Sequence, residues 1–188
     1  MAQPESRNSL RETLLRSCLS DKARIELSDQ AAINNEAYVY SQELTRKAHL
    51  PIVEEILGEY RPAARDQGFR RIVVNTYDHR CALCGVRILT PEGHTVVDAA
   101  HIIPWSASRN DDIRNGMALC KLCHWNFDEG MLGVSDNYNV IVSRKIAANP
   151  NIPGFLVTLA DRGIILPQDS DLWPAKEYLE KHRRGWSL

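Results

Sequence analysis

Cys81, Cys84, Cys120 and Cys123 form two Cys-x-x-Cys pairs that bracket His101, and His124 follows the last thiol directly. Pairs at this spacing, with residues 85–119 between them, can wrap one tetrahedral zinc ion and staple a hairpin to a helix. A site closed by four thiolates keeps no open coordination position, so a zinc held there is scaffold. The polar residues inside that scaffold, His101, Asn115, His124 and Asp128, are left with other work.

The local patterns say which elements carry these residues. Cys84-Gly85 reads as a tight metal-knuckle turn and Pro91-Glu92-Gly93 as a hairpin turn, and Thr95–Ile103 is an apolar, β-branched run that ends at Pro104. Asn110–Asn115 is a polar loop. Lys121–Glu129 is helix-compatible and stops at Gly130, where a helix C-terminus favours glycine. His101 therefore sits on a strand, and His124 and Asp128, four residues apart, share one face of a helix.

Upstream, Leu10, Leu14, Leu15, Cys18 and Leu19 recur at helical spacing and predict a buried, reduced Cys18. A second helical stretch, Ala31–Tyr60, carries Ala37, Tyr38, Leu44, Leu50, Ile52, Val53, Ile56 and Leu57 and is broken at Pro51. Past Pro62, Ala63–Phe69 predicts a short basic helix and Ile72–Tyr77 a strand or helix end. Downstream, Tyr138–Ser143 and Gly163–Leu166 read as strands and Glu177–Arg184 as a last helix. Trp105 and Trp125 are expected in the small core, Trp173 and Trp186 as anchors of the C-terminal segment, and His94 as a solvated turn residue. The chain divides into a helical segment 1–60, a central domain 61–150 and a C-terminal extension 151–188.

With 188 residues and 44% apolar composition the chain can bury a real core. No apolar run approaches the roughly 18–20 residues that span a bilayer, and the charges in the first twenty residues interrupt any signal-peptide core. The expectation is a cytoplasmic protein without a membrane partner. Net charge is −1, but the first 60 residues are acid-rich and the remainder slightly basic. Arg61, Arg65, Arg70, Arg71, Arg80 and Arg87 face only Asp66, Asp78 and Glu92 over residues 61–97, a local surplus suited to a solvated face or to phosphate contacts.

Three stretches taken together resemble the HNH nucleases with their ββα-metal fold: Asp98-Ala99-Ala100-His101-Ile102-Ile103-Pro104-Trp105, then Asn115-Gly116-Met117-Ala118-Leu119-Cys120-Lys121-Leu122-Cys123-His124, then Phe127-Asp128-Glu129-Gly130. The resemblance covers about residues 81–143, and many members use the cysteine pairs as a structural zinc clasp. It implies an α+β fold, a zinc-stapled ββα-metal domain behind an N-terminal helical segment. Phosphodiester cleavage at neutral pH needs a base, positive charge at phosphorus and help for the leaving 3′ oxygen. A histidine, with its ordinary pKa near 6.5, suits the first task, which gives His101 the role of base. Asn115, in the family pattern, holds the loop and orients that histidine, and His124 and Asp128 ligate one divalent cation: magnesium foremost, with manganese, nickel or zinc as alternatives.

The sequence departs from the pattern at Ala100, where the family often places a further ligand. Asp98, two residues earlier on the same strand face, is the expected substitute. Arg70, Arg71, Arg80, Arg87 and Arg114 are the expected contacts to nucleic acid. The resemblance implies a DNA endonuclease of restriction or host-defence systems, with the N-terminal helices as a candidate homodimer contact. A non-catalytic, zinc-stabilised nucleic-acid-binding module and an RNA-cutting HNH nuclease are the alternatives. The joint presence of His101, Asn115, His124 and Asp128 speaks against the binding-only module, which has no chemical need of them.

Overall fold

The computed structural model describes residues 4–52, 60–147 and 154–188; Val53, Ile56 and Leu57 of the second helical stretch lie outside them. The chain opens with α1 (Pro4–Cys18) and α2 (Asp21–Ala48). The Ser20 hydroxyl caps α2 by accepting from the Ala23 amide at 3.3 Å, with Asp21 in the first turn and Arg46 and Lys47 in the last, each sign matched to the helix dipole. Cys18 is exposed, contrary to the sequence expectation, because α1 makes little contact with the body and its apolar stripe, including Leu10 and Leu14, faces outward.

Helix α3 runs from Pro62 to Thr76, one continuous element where the sequence suggested two. Proline fits its first turn, where the missing N–H costs nothing. Its buried face, Ala64, Gly68, Phe69, Val73 and Val74, packs on Ala37, Tyr40 and Leu44 of α2. The crossing is close: a Cβ on Gly68 would lie 2.7 Å from the Ala37 carbonyl oxygen. Arg61 locks the two helices through its amide and Nε, each 2.7 Å from a Glu36 carboxylate oxygen.

Strand β1 (Val97–His101) then pairs antiparallel with β2 (Gly116–Cys120), placing His101 opposite Gly116, and β2 leads without a break into α5 (Lys121–Asp128). This is the ββα unit. Between the strands come α4 (Trp105–Ser108) and a 3-10 turn at Ile113–Asn115. A second pair, β3 (Leu132–Val134) with β4 (Val140–Val142), follows, then the short helices α6 (Arg144–Ala147) and α7 (Gly154–Val157). Gly163 meets Asn139 in a single isolated bridge rather than in the expected strand. The chain closes with α8 (Lys176–Trp186), whose Arg183 donates to the Val134 carbonyl at 2.6 Å and to Asp136 at 2.6 Å. One buried cluster draws on α2, α3, both strand pairs, α5 and α8, from Tyr40 through Val73, Met117 and Phe127 to Leu179.

The four predicted cysteines meet at one end of the ββα unit, with all four sulfurs within 4.8 Å of one another and Cys84 Sγ 3.8 Å from Cys120 Sγ. A tetrahedron with metal–sulfur bonds of about 2.3 Å has edges of about 3.8 Å, so the sulfurs are spaced for one tetrahedral ion. Gly85, at φ +77°, makes the turn that brings the first pair round. Metal binding and folding should therefore be one event. Cys84→Ser or Cys123→Ser is expected to release the metal and abolish cooperative thermal unfolding, read by elemental analysis and circular dichroism; a folded, metal-free variant would contradict this.

Candidate active site

Strand periodicity turns Ala99 and His101 of β1 to one side, where α5 presents His124 and Asp128. Together with Ile102, Pro104, Trp105, His182 and Trp186 these residues line an open cleft of about 370 Å³. His124 Nε2 lies 3.5 Å from Asp128 Oδ2, the neighbour relation that four-residue spacing on a helix provides. Partial loss of water raises the Asp128 carboxyl above its usual range, against the opposing pull of His124 and with a push from Glu129. An imidazole and a carboxylate side by side at a solvent-open cleft are suitable ligands for a divalent cation that keeps open positions.

The ring of His101 is held on two sides. Phe69 of α3 stacks on it, with centroids 4.0 Å apart and planes 10° from parallel. Asp111 Oδ1 is 2.7 Å from His101 Nε2. Asp111 is a buried carboxylate that sequence reasoning missed, and its second oxygen accepts from Tyr40 Oη at 2.9 Å and Arg65 Nη1 at 2.7 Å. Burial works against its charge, but the hydrogen bonds from His101 and Tyr40 and the nearby Arg65 charge outweigh it and hold the carboxyl below the usual range. A depressed carboxylate adds stability above the unfolded value near 3.9 and loses it only as pH falls through its own lower value. Asp111 is thus charged throughout the neutral range.

Asn115 does its work at one remove from His101. Its fully buried carboxamide accepts from the Ile103 amide at 2.9 Å and donates to the carbonyls of Ile103 and Asn110 at 3.1 and 3.0 Å. It closes the loop that carries Asp111, and the group touching the histidine is that carboxylate rather than the amide. Gly116 beside it has no room for a side chain: a Cβ would sit 2.7 Å from Val73 and 3.0 Å from Phe69, the residue stacked on His101.

The remaining predicted residues lie elsewhere. Asp98 faces away from the cleft, with Ala100 on the other side of β1, and is paired with Arg70 Nε at 2.6 Å. Arg71 stacks over Tyr38, Arg80 and Arg87 reach Asp78, and Arg114 forms a two-pronged pair with Asp112 and donates to the Leu50 carbonyl. None of these five arginines is among the residues lining the cleft. Arg65 and Arg109 both stack on the cleft residue Trp105, at 3.9 and 4.1 Å from the ring centre, and Arg65 is paired with Asp66 and Asp111. Trp125 is 60% exposed and does not enter the core as expected, because the buried side of α5 is taken by Cys123, Asn126 and Phe127.

His182 of α8 is a second residue that sequence reasoning missed. It is buried, stacks on Phe127 at 3.8 Å, lies 3.0 Å from the Phe127 carbonyl through Nε2, and lines the cleft. Burial lowers its pKa, against the Phe127 carbonyl and with help from Arg183, so it is neutral at physiological pH. The sequence marks it only as part of a small basic cluster, Lys181-His182-Arg183-Arg184, far outside the motif. Asp111 stands in a run, Asn110-Asp111-Asp112, that reads as an ordinary polar loop.

Residues 81–135 match the family model of an HNH endonuclease. They belong to the HNH endonuclease family. Among solved structures, the chain is similar to a modification dependent TagI restriction endonuclease, with 22% identity and a TM-score of 0.47 over 64% of this chain and 38% of that one. The chain thus spans well under half of that protein's length. Comparison with curated proteins finds no match. The HNH unit is a nuclease domain at the level of its family, built as ββα with a four-cysteine cluster that fits a zinc clasp. No helix among the described residues is long and apolar enough to cross a membrane.

Asn115→Ala should leave at least two buried backbone groups unpaired, each costing about 1–3 kcal/mol, for a loss of roughly 2–4 kcal/mol in unfolding free energy. Chemical denaturation measures it, and a loss below about 1 kcal/mol would show that the loop does not lean on this amide.

Proposed function

We propose that this protein is a metal-dependent HNH endonuclease that hydrolyses DNA phosphodiester bonds. The observation that carries the reading is the convergence, in one open cleft, of His101 from β1 with His124 and Asp128 from α5. His101 engages Asp111 through Nε2, so the neutral ring donates there and carries its lone pair on Nδ1, the nitrogen that takes a proton from the attacking water. His124 and Asp128 hold the divalent cation: magnesium foremost, with manganese, nickel or zinc as alternatives. Such a cation, when bound, supplies positive charge to the phosphate and to the departing 3′ oxygen. Arg109, stacked on the cleft residue Trp105, is a cation along which a phosphate backbone is positioned without reading its sequence. Zinc fills the four-cysteine clasp as scaffold.

A cytoplasmic role in restriction or host defence belongs to the same proposal and rests on the motif resemblance. A homodimer through the N-terminal helices is supported by the outward apolar residues of α1 and early α2, among them Leu10, Leu14 and Ile25.

In plasmid cleavage across divalent metals, His101→Ala is expected to lose on the order of 10²–10⁴ in rate while clasp metal, fold and DNA affinity stay unchanged. His124→Ala and Asp128→Ala should shift the metal titration to higher concentration. Parental cleavage by His101→Ala, or cleavage of RNA in preference to DNA, would overturn the corresponding part of the reading.

A further inference from the structure

We propose that the N-terminal helices are part of the catalytic machinery: Tyr40 of α2 and Arg65 of α3 are positioning residues that act on His101 through Asp111. The inference rests on His101 as the base and adds the groups that set its orientation and tautomer.

An imidazole has two freedoms. Its ring can turn about the Cβ–Cγ bond, which exchanges Nδ1 with Cδ2 and Nε2 with Cε1, and its single neutral-state proton can sit on either nitrogen. Phe69 fixes the plane of the His101 ring by stacking but leaves both freedoms open. Only a directional partner closes them, and the carboxylate of Asp111, an acceptor alone when ionised, requires Nε2 to be the donor.

Asp111 can do this only if its carboxylate is charged and its own position is fixed. Its side chain is almost wholly excluded from water, with 2% of its surface exposed, so solvent neither stabilises the charge nor competes for the oxygens. Both functions fall to the other oxygen, where Tyr40 Oη and Arg65 Nη1 converge from two different helices at 2.9 and 2.7 Å. Burial, and then the Asp111 charge, raise the Tyr40 phenol well above its usual range, so it stays a donor. Arg65 is itself held by Asp66 and by stacking on Trp105. The carboxylate is therefore pinned by β1, α2 and α3 together, and two of its three partners lie outside residues 81–135. The packing of α2 on α3, with Gly68 against the Ala37 carbonyl, is what brings the phenol to the carboxylate.

Nitrogen-15 NMR of histidine-labelled full-length protein at mildly alkaline pH reads the tautomer directly, whether or not the protein cuts anything. His101 should show a protonated Nε2 and a bare Nδ1, and the opposite tautomer would overturn the proposal. In Asp111→Asn the amide can donate, so the His101 proton should move to Nδ1 and kcat should fall on the order of 10²–10⁴ with KM for DNA unchanged. Tyr40→Phe removes one oxygen from an otherwise intact core. It should lower kcat about tenfold, close to 1.4 kcal/mol in barrier, again without moving KM. Parental kcat in a folded Tyr40→Phe would remove α2 from the machinery. Should the parental protein cleave no nucleic acid with any divalent metal, the endonuclease reading fails while the tautomer measurement still decides the positioning role.

Discussion

The convergence of four sulfurs within 4.8 Å is the constraint on which the rest of the HNH unit depends. Two of them, Cys81 and Cys84, stand ahead of the hairpin, and the other two sit at the end of β2 and in the first turn of α5. An ion bound there joins the start of the unit to the strand–helix junction, which is where the direction of α5 is set. Such an ion would add its ligation to the burial of Met117, Leu119 and Phe127 in the shared core. His124 follows the last ligand directly, so the aim of a site residue into the cleft is tied to the geometry of the clasp.

Around that cluster His101 is held by packing as much as by hydrogen bonds. The pairing of His101 with Gly116 across β1 and β2 puts the smallest residue where α3 comes nearest, and Val73 and Phe69 occupy the space a side chain would need. The same approach lets Phe69 stack on the imidazole. Asn115, one residue before, spends its whole carboxamide on the backbone of the loop that carries Asp111. Adjacent residues thus serve the same histidine by different means: a glycine that lets the helix close in, and an amide that shapes the loop.

The electrostatics of the cleft separate two carboxylates by environment. Asp111 is buried but satisfied by three donors and is held below the usual range, whereas Asp128 is partly desolvated beside one imidazole and is raised. The first is a permanent charge that orients a neighbour. The second is a group whose charge a bound cation would favour. That division is the one the proposed metal-assisted, general-base hydrolysis would call for.

What depends on a spacing of a few residues could be read before any folding. Cys-x-x-Cys pairs, a histidine and an aspartate four apart on a helix, a strand ending at Pro104 and a glycine closing α5 are local relations, which backbone geometry turns into shared faces and turns; each is legible in the order of the residues alone. What depends on which distant surfaces meet came from the packing. Asp111 looks like loop polarity until α2 and α3 bring Tyr40 and Arg65 to it; His182 reaches the cleft from the last helix; Asp98, aligned by period with Ala100, turns to Arg70 because Ala99 and His101 take the cleft side. Cys18 and Trp125 went the other way, apolar by pattern and exposed in fact. A periodicity shows that a residue shares a face with its neighbours, but whether that face meets a partner is settled by packing across elements far apart in the chain.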